Sequence, residues 1–311
     1  MIKIGIIGMS PGNAHPYSWS AIINGCFDEN EISKVGYPAV SHYLKANRDT
    51  LGINGALVSH VWTQDRLISE SIAQTAKIEH IVNNLEEMIG HVDAVILARD
   101  DPENHVLMAK PFIDADIPIF IDKPLAITTA DLDYFSTESA KGKLIMSCSS
   151  MRYANECRAV KQELASLGKL EFATAVGKKD WVKYGVHLLE AMFALLDDPK
   201  PVSIKHIGKK NKDIVHLEFE NGFQAVLQIF MDITPTFQVS LFGQEGWRLV
   251  DIKNSYSMFR DNMIEFVRSV QDGKPRLDFD KTENIIRTLI AAQESLKNGG
   301  KTIYLSAGLI Q

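Results

Sequence analysis

An aspartate, a lysine and a proline directly follow an apolar run in Ile117-Pro118-Ile119-Phe120-Ile121-Asp122-Lys123-Pro124. A carboxylate and an ammonium at the end of a buried strand add nothing to packing. In an open parallel sheet, ligands collect outside the carboxyl ends of the strands, so Lys123 stands where a cofactor or substrate would bind. A second constellation, Trp181-Val182-Lys183-Tyr184-Gly185-Val186-His187-Leu188-Leu189-Glu190, opens an apolar helix with His187 and Glu190 on one face. A neutral imidazole beside a substrate hydroxyl can take its proton, and a carboxylate can orient the ring. A histidine at a helix start can equally serve packing, while Gly185 admits a close backbone or ligand.

Three further strand ends carry polar residues. The first strand runs into Gly8-Met9-Ser10-Pro11-Gly12-Asn13-Ala14-His15. A G-x-G-x-x-G fingerprint would require glycine at 8, 10 and 13, and only Gly8 complies. The loop still offers Gly12, small residues and a helix start to a phosphate, with Ser10 and Asn13 as side-chain donors. The second strand ends at Trp62-Thr63-Gln64-Asp65-Arg66. Asp65 suits the ribose hydroxyls of NAD or a helix N-cap, and Arg66 suits the 2′-phosphate of NADP; NAD is the favoured reading. The fourth ends in Ala98-Arg99-Asp100-Asp101-Pro102-Glu103-Asn104-His105, where Arg99, Asp100 and His105 are expected to line the nicotinamide half of a groove. His105 reads as a packing or capping residue before a catalytic one.

These residues need a scaffold, and the first half supplies one by alternating apolar runs with helical patterns, the signature of βαβ units. Strands are predicted near 3–7, 56–62, 80–82, 93–98, 117–121 and 144–147, with helices at 65–76 and 102–115. The segment 28–55 is an insertion with a turn and short helix at 37–44: a flap, a subunit contact, or a surface loop with its own small core. After 150 the pattern changes to alternating strands at 202–207, 214–220, 225–232, 238–242 and 246–252, with helices at 156–166, 186–196, 257–271 and 281–297. The expected division is a nucleotide-binding domain at 1–124, a seam and last strand at 125–150, and a substrate and oligomerisation domain at 151–311 whose final helix packs back on the first. The fold class is α/β: a doubly wound parallel sheet plus an α+β domain with a largely antiparallel sheet.

A chain of 311 residues fits two domains, and a net charge of −6 with both signs interspersed provides no basic field for nucleic acid or anionic lipid. The three cysteines Cys26, Cys148 and Cys157 form no C-x-x-C, so neither a metal site nor a disulfide framework is expected. Neither a signal peptide nor an apolar run of ~20 residues is evident, and a cytoplasmic location is expected.

In order and spacing these landmarks resemble the Gfo/Idh/MocA family of oxidoreductases over essentially the whole chain. Asp122-Lys123-Pro124 resembles the family's E-K-P motif, which implies Asp122, Lys123 and Pro124 at the cofactor, Lys123 beside the nicotinamide and the reacting hydroxyl, and a Lys-Pro bond that is often cis. Gly185-x-His187-x-x-Glu190 resembles G-x-H-x-x-D, and Arg152-Tyr153 also fits. The resemblance implies a Rossmann-type domain and an NAD(P)-dependent dehydrogenase with Lys123 and His187 as catalytic residues. It also implies a sugar, polyol or sugar-nucleotide substrate and a homodimer or homotetramer. The chain departs from the pattern at the glycine fingerprint, at Asp122 in place of glutamate, and at Lys183, where the family has an aspartate four residues before the histidine. A cation there lowers the histidine's basicity unless Tyr184 or Glu190 compensates, and it suits a carboxylate or phosphate on the substrate. Lys183, Tyr184, Glu190 and Arg152 are therefore the expected substrate contacts. Two alternatives stay open: a non-redox member using NAD transiently, and a cofactor-binding regulatory protein without catalysis.

Overall fold

The computed structural model describes residues 1–305; the last six residues of the expected second domain, 306–311, lie outside them. Two compact units are present. One comprises Met1–Ala126, Ala130–Cys148 and Phe259–Phe279, and the other Ile127–Thr129, Ser149–Met258 and the chain from Asp280 onward. Phe259–Phe279 thus belongs to the first unit, and the last helix, from Asp280, clusters with the second.

The first unit is built from β1 (Ile2–Ile7), α1 (His15–Asn24), α2 (Glu29–Lys34), α3 (Pro38–Ala46), β2 (Ala56–Trp62), α4 (Arg66–Ala76), β3 (His80–Ile81), β4 (Ala94–Leu97), α5 (His105–Asp114), β5 (Ile119–Ile121), α6 (Thr129–Ala140) and β6 (Ile145–Met146). Its six strands pair in the order β3-β2-β1-β4-β5-β6, all parallel. Ile4, Ile6, Val58, Val95, Ile96, Ile119 and Phe120 are fully buried, because helices cover both faces and each strand must be apolar throughout. The order reverses between β1 and β4, which opens a crevice at their carboxyl ends. Asp28 caps α2 by accepting from the Asn30 and Glu31 amides, Ile32 and Leu44 are fully buried, and the Tyr43 hydroxyl meets Ser18 Oγ of α1 at 2.5 Å.

The second unit contains α7 (Asn155–Lys161), β7 (Leu170–Lys178), α8 (Trp181–Leu195), β8 (Pro201–His206), β9 (Lys212–Phe219), β10 (Gln224–Phe230), β11 (Phe237–Gly243), β12 (Trp247–Asp251), most of α10 (Phe279–Lys297) and β13 (Ile303–Tyr304), with α9 (Ser255–Asp272) starting in it and continuing in the first. Its seven strands run β12-β11-β7-β10-β9-β8-β13, antiparallel except for the β7–β10 pair. Ala173, Ala175 and Gly177 alternate on the inner face of β7, and the absence of a side chain at Gly177 lets Leu188 of α8 sit against it. Small inward residues bring α8, and His187 with it, close to the sheet.

Candidate active site

At the carboxyl edge of the parallel sheet the polar residues interlock. Ser10 Oγ donates to Asp100 Oδ1 at 2.5 Å and accepts from the Asp100 amide at 3.0 Å, and Asp100 Oδ2 lies 3.7 Å from Lys123 Nζ. Arg99 forks onto Asp101 through Nε (2.8 Å) and Nη2 (2.5 Å), while its Nη1 donates to Gln64 Oε1 at 2.9 Å. Gln64 in turn exchanges hydrogen bonds with the Met9 backbone, so one buried guanidinium ties the ends of β1, β2 and β4 together.

Asp122 is the hub at the end of β5. Its Oδ2 meets His15 Nδ1 at 2.6 Å and accepts from Asn13 Nδ2 at 2.9 Å, and its Oδ1 accepts from the Lys123 amide at 2.8 Å. Burial alone would raise this carboxyl, but the charge and hydrogen bond of His15, then the Lys123 charge and the Asn13 amide, outweigh it and hold the group at about 2. The Lys123–Pro124 peptide is cis, as the motif implied.

Several expected cofactor contacts are therefore turned inward. The Ser10 hydroxyl and Asn13 amide donate within the protein instead of toward a ligand, and Arg99 is engaged on three sides. His105 is fully buried with Nδ1 at 3.0 Å from the Leu125 carbonyl and Nε2 at 3.0 Å from the Arg99 carbonyl, so both ring nitrogens are occupied and the ring cannot reach a ligand. Asp65 caps α4, accepting from the Leu67 amide at 2.9 Å, yet stays exposed; Arg66 pairs with Glu70 at 3.1 Å and reaches Asn83. Gly8 is required sterically, since a Cβ there would stand 2.6 Å from Pro16 Cγ.

In the second unit His187 is half-buried on α8, its Nδ1 2.6 Å from Ser149 Oγ. Glu190 does not touch the ring. Its Oε1 accepts from the Ser149 amide at 3.2 Å and its Oε2 from Arg152 Nε at 2.6 Å. The remaining Arg152 nitrogens grip Asp198 at 2.7 and 3.1 Å. Burial pushes the Glu190 carboxyl up against the pull of Arg152; at Asp198 the guanidinium prevails over burial and holds the carboxyl below its usual range. Arg152 and Glu190, expected at the substrate, form a buried ion pair that fixes Ser149. Ser149 Oγ also accepts from the Met151 amide, so the hydroxyl is pinned where it meets His187. Tyr184 accepts a hydrogen bond from Lys179 Nζ, lies 5.2 Å from the His187 ring and stacks on Phe237. Gly185 makes room for the Trp181 ring and Leu289, at 2.9 and 3.0 Å from a hypothetical Cβ.

His15, Gln64 and Ser149 were not among the expected site residues. His15 was legible as the first ionisable side chain after β1, at the start of α1; nothing local marks Gln64 or Ser149 for their partners Arg99 and His187.

A 3-2-1-4-5-6 parallel sheet with a lysine at its ligand edge defines a dinucleotide-binding protein of the doubly wound class. The Gfo/Idh/MocA family model, described as an oxidoreductase family with an NAD-binding Rossmann fold, matches residues 2–148. No curated protein matches the chain. Among solved structures, a probable dehydrogenase from Thermotoga maritima is similar with a TM-score of 0.78 and 14% identity over 97% of this chain and 98% of that one. Myo-inositol 2-dehydrogenase from Lactobacillus plantarum gives 0.76 and 15% over 98% and 99%. An oxidoreductase from Agrobacterium radiobacter, solved with NAD+, L-tartaric acid and magnesium, gives 0.76 and 14% over 99% of each chain. At such identities the likeness is one of fold. Among the described residues no helix is long and apolar enough to cross a membrane, and no group of side chains is placed to hold a metal ion.

Proposed function

We propose that this protein is an NAD-dependent dehydrogenase acting on a secondary hydroxyl of a sugar, polyol or sugar-nucleotide-like substrate. The observation that carries the reading is Lys123: an ammonium only 5% exposed, at the carboxyl end of β5 in a domain of an NAD-binding oxidoreductase family. The first unit fits the cofactor. Gly12 has a left-handed φ of 81° and a Cβ there would meet nothing within 4 Å, so backbone at the switch point stays open to a phosphate. Asp65 stands exposed where ribose hydroxyls are read, and the engagement of Arg66 with Glu70 supports NAD over NADP.

Held at Gly12 and Asp65, NAD would supply the hydride acceptor, so that oxidation of the C–H carbon would leave a carbonyl and one hydroxyl proton to be taken up. Lys123 stabilises the oxygen as negative charge develops, and His187 takes the proton at Nε2. That role requires the tautomer with hydrogen on Nδ1, which then donates to Ser149 Oγ. Asp100, Asp122 and Arg99 hold the cofactor loops, Glu190 and Arg152 hold Ser149, and Lys183 and Tyr184 face the substrate. Phe242, Trp247 and Leu249, exposed on β11 and β12, suit assembly as a homodimer or homotetramer. Incubation with NAD+ and a panel of polyols and sugars, read as NADH formation, tests the reading. Tight NADH binding without turnover of any CH–OH compound would refute it.

A further inference from the structure

We propose that Ser10, which stands where the fingerprint would place its second glycine, positions the Lys123 ammonium through Asp100. This rests on the dehydrogenase reading for what Lys123 does. The three residues lie just past the carboxyl ends of β1, β4 and β5, which neighbour one another in the sheet, with Asp100 on the middle strand.

A lysine ammonium rides on a flexible four-carbon stem, and it stabilises a developing oxyanion best when it is already in place. Asp100 Oδ2, 3.7 Å from Nζ, sets an opposite charge on one side of it. That carboxylate orients the ammonium only if it is itself fixed. Ser10 fixes it twice, since the hydroxyl donates to Oδ1 at 2.5 Å and accepts from the Asp100 amide at 3.0 Å. One oxygen thus holds both side chain and backbone. A glycine would make neither contact. Arg99 and Asp101, which flank Asp100, grip each other, so the backbone beneath the carboxylate is held as well.

The hydroxyl is not what closes the loop. Pro11 and Gly12 make the turn by backbone alone, with the Asn13 amide donating to the Ser10 carbonyl at 3.1 Å and Gly12 at a φ of 81°. Nor does the side chain reach out toward a ligand, because Ser10 is 1% exposed. In the usual fingerprint the second glycine lets the backbone approach a pyrophosphate. Here its replacement carries a hydroxyl committed to the flank of the proposed catalytic lysine.

The test begins with the full-length protein without added cofactor. Reductive methylation with formaldehyde and cyanoborohydride, followed at the Lys123 peptide by mass spectrometry, reports how firmly the ammonium is held. Ser10→Ala and Ser10→Gly should each speed methylation of Lys123 about threefold or more, the scale of one lost hydrogen bond, and leave the exposed Lys110 and Lys141 unchanged. Asp100→Asn should do the same. Adding Ser10→Ala to Asp100→Asn should then change little, because a hydroxyl that acts through the carboxylate has lost its means of acting, whereas general loosening of the loop would add. In turnover, Ser10→Ala and Ser10→Gly should lower kcat about tenfold or more while KM for NAD+ stays within about twofold. If one Ser10 variant fails to fold, the other decides. An unchanged Lys123 methylation rate, effects of Ser10→Ala and Asp100→Asn that add, or a restored glycine that raises kcat would overturn the inference. A wild-type protein that oxidises no CH–OH compound would sink the dehydrogenase reading, and the methylation rates would still judge whether Ser10 positions Lys123.

Discussion

His15 Nδ1 and Asp122 Oδ2 meet at 2.6 Å, locking the loop after β1 to the end of β5 across the intervening β4. The imidazole is stacked on Trp19 with ring centroids 4.3 Å apart and meets Phe259 edge-on, so it is fixed on both sides. Asp122 also accepts from the amide of Lys123, so this carboxylate sets the backbone from which the proposed catalytic ammonium projects. The cofactor loop lacks two of the three fingerprint glycines, and this contact is part of what holds it in shape.

Asp122→Asn should be destabilising in a pH-dependent way. The carboxyl titrates at about 2 in the folded protein, below its unfolded value, so its contribution is complete above that unfolded value and is lost as pH falls through the folded one. The gap corresponds to about 2 kcal/mol. Urea denaturation near neutral pH should show a loss of that order in the variant, and the difference from wild type should shrink as pH is lowered from ~5 toward ~3. A difference that does not change with pH would mean that the carboxylate charge is not what stabilises the loop.

Lys123→Met should reduce turnover by about a hundredfold or more, as for loss of a preorganised donor at a developing oxyanion. Fluorescence titration should find NADH binding within about twofold of wild type, since the proposed role lies at the reacting oxygen. Normal turnover would remove Lys123 from the chemistry.

Ser149→Ala should separate positioning from structure. Loss of the hydroxyl beside His187 Nδ1 frees the ring to adopt the other tautomer, so kcat/KM should fall about tenfold and its acidic limb should move. His187→Asn should cost about a hundredfold or more and abolish that limb. An unshifted pH profile in Ser149→Ala would reduce the contact to packing.

Arg152→Met should cost about 3 to 5 kcal/mol of stability, because it leaves Glu190 buried without its cation, whereas Asp198 keeps Lys281 at 3.3 Å. Glu190→Gln should cost clearly less, since burial already pushes that carboxyl up toward its neutral form. Equal losses in thermal or denaturant unfolding would contradict this asymmetry.

What could be read from the sequence was whatever local pattern encodes. β2 coincides with its predicted range, and β4 and β5 lie within theirs, because strands buried on both faces read as continuous apolar runs. Helix α1 is legible only as a helix start after the first loop, without a range, because every residue from Pro16 to Ile23 is buried and no polar face marks a period. Helix α6 was missed for the opposite reason, with only Leu132 and Phe135 buried. Strand β7 presents Ala173, Ala175 and Gly177 inward, residues too small to register as an apolar stripe even though they are what admits α8.

The sequence by itself determined the fold class, the position of Lys123 after an apolar strand, and the placement of His187 on a helix, although that helix begins at Trp181, a turn and more before the expected 186; each follows from patterns within about twenty residues. Only the tertiary structure decided how the polar side chains are divided. Ser10, Asn13, Arg99, Asp122, Arg152 and Glu190 have the chemistry of ligand contacts, but their partners lie far along the chain, from Gln64 to Asp198. A buried polar group must be satisfied, and whether a neighbour or a ligand does so depends on which strand ends the sheet order brings together. Local sequence does not carry that order.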